Sequence, residues 1–332
     1  MSLIDGVMGP APLVLLAAAL ALDAALPMAV WPFGWAPHPV RWVGWLAVVL
    51  ERRFNQPHGS RTRRRLSGVL STAVLAGAAM GLAVAVRAIG RGVPYGWLIE
   101  LALVTSLLAQ RSLYVHVARV ARPLAAGDLE GARAAVSEIV GRNPECLDRH
   151  AVARAAIESL AENFSDGVVA PVLFYACFGL PGLVLYKTIN TLDSMWGHKS
   201  ERFLEFGFAA ARLDDGLNLV PARLSGAVLA VSALLVPKAE MWEAWRSMGR
   251  DAANHRSVNA GWPESAMAGA LGIAIAGPRR YGDVLVNDSW MGGGRQNVEA
   301  ADIFRALGLY AVACLLLWLG VLSAALVADL RL

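Results

Sequence analysis

Residues 61–89 read RTRRRLSGVLSTAVLAGAAMGLAVAVRAI: four arginines within five positions, followed by a largely apolar run. A helix needs roughly 20 largely apolar residues to cross a bilayer, and 66–89 supplies them. The arginines orient it. The segment 51–65 carries Arg52, Arg53, Arg61, Arg63, Arg64 and Arg65 against the single acid Glu51, a strong positive-inside signal that places this segment, read as a loop, in the cytoplasm. Within the run, Gly77 and Gly81 have the four-residue spacing that lets helices approach closely in lipid, which predicts packing.

Outward from this segment, 12–31, 93–115 and 303–328 are also apolar enough to cross. Two further stretches are apolar but interrupted: 167–189 by Pro171, Gly179, Pro181 and Gly182, and 217–236 by Asn218, Pro221 and Arg223. Each reads as a kinked span or a re-entrant hairpin. The expected fold is an all-α polytopic membrane helix bundle of four to six transmembrane helices. It forms one integral-membrane domain over 1–332, with a cytoplasmic helical insertion at 118–166 and polar active-site segments at 187–223 and 251–272. If the two interrupted stretches behave alike, parity also puts 238–300 on the cytoplasmic face, with 91–92 turning outside. An inner-membrane, multi-pass location follows.

Composition agrees. The chain of 332 residues is 56% hydrophobic and 17% charged, with mean hydropathy +0.48, too apolar for a soluble domain of this length. A net charge of +4 and a pI near 9.2 reflect the arginine cluster beside apolar runs, so nucleic acid is not an expected partner. Cys146, Cys177 and Cys314 are widely separated and match neither a disulfide framework nor a zinc site. No Lys or Arg precedes the first apolar run, which therefore reads as a retained span rather than a signal peptide.

Three polar strings could carry chemistry. The insertion begins with a helix over 128–141, capped by Asp128 and Gly141 and closed by Asn143-Pro144. A second helix starts near Asp148 and places His150, Arg154, Glu158, Glu162 and Asp166 at every fourth residue, with Asn163 beside them. Such a face is often just solvated and ion-paired. Here it runs into an apolar stretch, with Asp166 at the membrane boundary, where idle charge is costly.

The second string, 186–226, holds Lys187, Asn190, Asp193, Lys199, Glu201, Arg202, Asp214, Asp215, Asn218 and Arg223. Carboxylates beside cations suit a metal ion and a phosphate- or carboxylate-bearing substrate, whereas Glu201 and Arg202 read as charges that merely pair with neighbours and anchor helix ends. In the third string, HRSVNAGWPESAMAGALG, Asn259, Ala260 and Gly261 lead into a helix too short to span, with His255 and backbone N–H groups aimed at an anion. Familiar nucleotide motifs are absent: Gly197-His198-Lys199-Ser200 lacks the P-loop spacing, and Gly292-Gly293-Gly294-Arg295 reads as a flexible turn.

Six ordered strings resemble one family. They are Asp23 with His38-Pro39-Val40-Arg41 and Gly44, then GRNPECLD, RAAIESLAENFSDGVVAP, NTLDSMWGHKSERF, ARLDDGLNLVPARL and HRSVNAGWPESAMAGALG. Together they are similar to the adenosylcobinamide-phosphate synthase family of cobalamin biosynthesis, the CobD/CbiB-type membrane proteins. The resemblance implies a ligase dependent on ATP and magnesium that joins adenosylcobyric acid to aminopropanol or its phosphate through an amide. It further implies a corrinoid substrate, an amino-alcohol phosphate, a lipid bilayer and neighbouring pathway enzymes as partners.

Carried onto this chain, the resemblance suggests catalytic roles for Glu158, Glu162, Asn163, Asp166 and Asp193, and magnesium ligation by Asp193, Asp214 and Asp215. Substrate binding falls to His38, Arg41, Arg154, Lys187, Asn190, Lys199, Asn218, Arg223, His255, Ser257 and Asn259. The chain departs from the family pattern in three places. Ala25-Leu26-Pro27 stands where Gly-Asp-Pro is usual, removing an acid. Val258 replaces a proline, and 198–203 varies a Tyr-Lys-Asn-Glu-Arg-Tyr string. The competing readings are a transporter of a corrinoid or other anion, and a catalytically inactive membrane sensor, against which the intact ESLAEN, NTLDSM and ARLDD strings speak.

Overall fold

The computed structural model describes residues 9–26, 38–140, 145–281 and 284–330. In chain order the elements are α1 (Pro12–Ala25), α2 (Pro39–Phe54), α3 (Arg61–Gly92), α4 (Trp97–Leu107), α5 (Gln110–Ala125), α6 (Leu129–Ser137) and α7 (Arg149–Phe164). After a π-turn (Ser165–Val169) come α8 (Ala170–Trp196), α9 (Phe208–Leu217), α10 (Leu219–Ser232), α11 (Met241–Asp251) and α12 (Gly261–Leu271). Four short strands follow, β1 (Ile275–Ala276), β2 (Arg279–Tyr281), β3 (Val284–Val286) and β4 (Trp290–Met291), and then α13 (Ala300–Asp329). The strands form two antiparallel pairs, β1 with β4 and β2 with β3. The all-α, multi-pass class expected from sequence is what the chain forms.

Among the described residues four helical runs are long and apolar enough to cross a membrane: Arg61–Gly92, Trp97–Ala125, Arg149–Trp196 and Ala300–Asp329. A fifth arises if Phe208–Leu217 and Leu219–Leu235 are counted together. Several boundaries differ from expectation. The first apolar run is helical only over Pro12–Ala25, starting from a proline in the first turn, and residues 27–31 lie outside the described set. The expected crossing at 93–115 is two helices, because Leu108 is extended. The arginine-rich segment is no loop: its first residues end α2 and its last ones begin α3, leaving 55–60 as the connection. Ser60 caps α3 by accepting the Arg63 N–H, and Asp128 and Asp148 cap α6 and α7 as their sequences predict. The helix expected over 128–141 stops at Ser137, and its expected closure at Gly141 and Asn143-Pro144 lies outside the described residues.

By internal contacts the chain resolves into two compact units, one of Met1–Leu108, Ala170–Asn218 and Val321–Leu332, the other of Ala109–Val169 and Leu219–Gly320. In the first, α3 buries Gly68, Ser71, Thr72, Leu75, Ala76, Ala83 and Gly90, a stripe at helical spacing, and packs along α8. Gly68 sits so close to the Phe206 carbonyl that a Cβ has no room. Gly77 and Gly81 do not pack as expected. They lie on the exposed side of α3, with nothing in reach of an added Cβ. Lipid offers no hydrophobic drive between helices, so close packing and buried hydrogen bonds must hold this unit. The edge-to-face pair Trp196–Phe206, with centroids 4.9 Å apart, is an example of the former.

The break foreseen in 167–189 falls at Gly179, whose φ of 65° and ψ of −159° separate two helical halves of α8. The Arg87 guanidinium fills the space a side chain at 179 would need. Arg87 also pairs with Glu100 at 3.6 Å, and Glu100 accepts the Tyr175 hydroxyl at 2.9 Å. The freed turn is thus backed by an ionic cluster, as a broken helix in lipid requires.

The second unit is built around α7, whose Val152, Ile157, Leu160 and Phe164 are fully buried. Helices α5, α12 and β1 pack on it, and Phe164 meets Tyr310 edge-on at 5.5 Å. The Tyr310 hydroxyl in turn donates to the Gln110 carbonyl at 2.7 Å.

Candidate functional site

In the second unit the every-fourth-residue series on α7 divides in two. His150 donates from Nδ1 to the Val298 carbonyl at 2.9 Å. Arg154 donates to the Gln296 carbonyl at 2.8 Å and lies over the Trp290 ring. Glu158, buried, accepts the Ala276 N–H at 2.9 Å. Ala276 has φ of 61°, in the left-handed region that a non-glycine residue adopts at a cost of about 1–3 kcal/mol. All three side chains therefore fasten the segment 276–298 to α7. Glu162 and Asn163, one turn on, are exposed, with Asn163 donating to Ser159. Asp166 falls in the π-turn, where the wider turn takes it out of the α-helical register of the series.

The same unit holds the third string. Ser257 donates its N–H to His255 Nδ1 at 3.0 Å, and His255 Nε2 faces Glu264 at 3.7 Å. The Ser257 hydroxyl accepts the N–H groups of Asn259 and Ala260, so these donors close a turn rather than point at an anion as expected. Arg223 reaches Asn259 Oδ1 at 3.4 Å and lies 4.6 Å over Trp262.

In the first unit, Asp214 is buried and accepts from Asn190 Nδ2 at 3.2 Å and from Asn218 Nδ2 at 2.9 Å. Tyr186 donates to Asn218 Oδ1 at 2.9 Å, and Lys187 acts on Asp214 electrostatically. Four expected residues, Lys187, Asn190, Asp214 and Asn218, thus converge. Asp193 is half-buried, packed where a Cβ on Gly197 would stand. Asp215 pairs with Arg212 at 3.7 Å, and Lys199 and Arg41 are exposed. His38 caps α2 by accepting the Val40 N–H at Nδ1, which leaves Nε2–H to donate to Ser106. Arg202, expected merely to pair and anchor, does so with the distant Glu51, which it grips through two nitrogens at 2.9 and 2.7 Å. Burial pushes the Glu51 carboxyl up, but the hydrogen bonds from Arg202 and Asn55 outweigh it and leave the group below its usual range.

Several polar residues went unread in the sequence. Glu264 is buried in the first turn of α12; its signal was an acid inside the apolar run WPESAMAGAL. Asp251 accepts from Arg250 through two bonds of 2.6 Å and from the Gly292 N–H at 2.9 Å, which raises the Arg250 hold on its proton. Asp302, buried, binds both Arg295 and Arg305. The glycine turn 292–294 is therefore fastened, not flexible: Gly294 lies against the Gly272 backbone with no room for a Cβ. Among the described residues no three His, Cys, Asp or Glu side chains converge as a metal-holding group.

A multi-pass helical protein with polar clusters built on broken apolar helices is the class these features define. The chain matches the family model described as CobD/Cbib protein over residues 16–310. A protein of Rhodobacter capsulatus named "Cobalamin biosynthesis protein CobD" is 50% identical over 277 residues, covering 82% of this chain and 84% of its own. Proteins of the same name from a Sinorhizobium species and from Rhizobium meliloti are 46% identical over 305 residues and 44% identical over 317. These matches cover 91% and 95% of this chain, and 94% and 97% of theirs. The chain belongs to the CobD/CbiB family. No solved structure matches it.

Proposed function

We propose that this protein acts in cobalamin biosynthesis as the amide-forming ligase that joins adenosylcobyric acid to aminopropanol or its phosphate with ATP, on the cytoplasmic face of the inner membrane. The observation that carries the reading is family membership over most of the chain, together with acid- and amide-bearing side chains at the matching strings. The reaction needs a carboxylate activated by phosphoryl transfer and an amine held for attack, so positioning and charge stabilisation supply most of the catalysis.

The donor set fits a magnesium–nucleotide. Magnesium retains waters and is usually held by one or two carboxylates plus substrate phosphates, so no cage of three acids is needed. Asp214 has each oxygen engaged by one amide donor, which leaves lone pairs on both. Asp214, with one of its candidate companions Asp193 and Asp215, is the proposed carboxylate pair for the metal, which would neutralise charge on phosphate oxygens. Lys187, Asn190 and Asn218 in the first unit, and Arg154, Arg223, His255, Ser257 and Asn259 in the second, are the proposed substrate groups, with Lys199, His38 and Arg41. Glu158, Glu162, Asn163 and Asp166 are the proposed acid–base and positioning groups, with one Glu158 oxygen also accepting the Ala276 N–H.

Purified protein given adenosylcobyric acid, magnesium-ATP and aminopropanol phosphate is expected to yield the amide, detected by mass. Folded protein that makes no amide with any tested amino alcohol sinks the reading. A corrinoid or anion transporter is the second reading, favoured by the Gly179 break and the polar side chains of α8 that follow it. It predicts corrinoid flux into vesicles without ATP.

A further inference from the structure

The corner between α2 and α3 sorts its arginines into two kinds. Asn55 donates to Glu51 Oε1 at 3.0 Å and to the Arg202 carbonyl at 2.9 Å. Arg64 donates to Asn55 Oδ1 at 2.9 Å and to the carbonyls of Glu201 and Arg202. With Arg202 gripping Glu51, and Arg65 stacked 3.5 Å over Phe208, these three cations are spent on holding the corner together. Arg52, Arg53, Arg61 and Arg63 are exposed and form no side-chain hydrogen bond or ion pair among the described residues.

Two apolar rows lead to the second group. On α2, Val43, Ala47 and Leu50 face the core while Trp42, Trp45, Leu46 and Val49 are exposed on another face, and one turn beyond Val49 stands Arg53. On α3, Leu66, Leu70 and Val74 are exposed along one row, and one turn before Leu66 stands Arg63. Both outward rows thus end in an exposed guanidinium at the same corner. That is the order of groups in a phospholipid: acyl chain, then phosphate. Guanidinium binds phosphate oxygens well, and arginines at the edge of a span attract anionic headgroups.

We propose that the α2–α3 corner binds acidic phospholipid, with acyl chains along the Trp42–Val49 and Leu66–Val74 rows and the headgroup on Arg52, Arg53, Arg61 and Arg63. The surface needs no particular catalytic reading of the protein. Full-length protein in vesicles of phosphatidylcholine doped with phosphatidylglycerol is extracted, and its retained lipid is counted by native mass spectrometry. Wild type is expected to keep phosphatidylglycerol selectively, and the R52Q/R53Q/R61Q/R63Q variant to lose about tenfold of it while unfolding at the same temperature in pure phosphatidylcholine. Arg64→Gln is expected to do the reverse, lowering the unfolding temperature in both lipids while keeping the lipid. If the quadruple variant does not fold, the R52Q/R53Q and R61Q/R63Q pairs are each expected to lose part of the retention. Retention unchanged in all of them overturns the proposal. So does inorganic phosphate displacing phosphatidylglycerol from wild type, which makes the patch a site for free anion.

Discussion

The charged face of α7 and the polar cluster at the end of α8 are alike in sequence, each a run of acids, amides and bases beside apolar residues. They do opposite things. On α7, His150, Arg154 and Glu158 bind main-chain groups of 276–298, so three side chains hold a strained segment in place. On α8 and α9, Asn190, Asp214, Asn218 and Tyr186 bind one another, side chain to side chain. Side chains bound to backbone fix a segment in place, whereas polar side chains bound to one another present a prepared set of donors and acceptors to whatever else arrives.

Substitutions can break or sharpen that contrast. The largest effect is expected for Glu162→Ala and Asp193→Ala, each lowering amide formation by about 10²–10⁴-fold in a turnover assay while the protein still inserts and unfolds normally. Near-normal rates move both residues to the structural class. Next comes Glu158. Glu158→Ala leaves the Ala276 N–H buried without its acceptor, which costs about 1–3 kcal/mol and lowers the unfolding temperature. Glu158→Gln keeps a carbonyl for that N–H and is expected to restore most of the stability; a rate that stays low in this variant shows chemistry there as well.

A smaller effect is expected from Asn218→Leu, which removes one donor to Asp214 and the acceptor for Tyr186. Interhelical hydrogen bonds in lipid average about 0.6 kcal/mol, so stability changes little, whereas the magnesium dependence of turnover shifts to higher concentration. The smallest concerns pH. Glu51 has a folded pKa below its unfolded one, so its contribution is complete above the unfolded value of about 4.3 and is lost as pH falls through the lower folded value. Thermal melts of Glu51→Gln are expected to be less acid-sensitive than wild type in that window and no more stable at neutral pH.

How much of this could be read from residues alone depends on how local the cause was. The spans at 66–89 and 303–328, the caps at Asp128 and Asp148 and the break near Gly179 follow from composition or from a neighbour a few positions away, and the sequence predicts them. Helix α2 was missed because its exposed tryptophans and its terminal arginines look like a loop beside a span; only the packing of Val43, Ala47 and Leu50 makes it a helix. The β1–β4 pair and the fastened glycine turn rest on Glu158 and Asp251, 118 and 41 residues away, which no local pattern encodes. Gly77 and Gly81 show the converse: a spacing that permits close packing does not supply the partner. In the candidate site, residue types were legible, but the commitment of Glu158 to Ala276 and of Ser257 to its own turn was not.

The central claim, that a carboxylate is activated by phosphoryl transfer and then captured by an amine, is tested most directly with adenosylcobyric acid carrying ¹⁸O in its free carboxylate. With magnesium-ATP and aminopropanol phosphate, the account predicts ¹⁸O in the released inorganic phosphate, one atom for each amide formed. Amide formed with ¹⁸O in AMP, or with no ¹⁸O in any nucleotide or phosphate product, contradicts it.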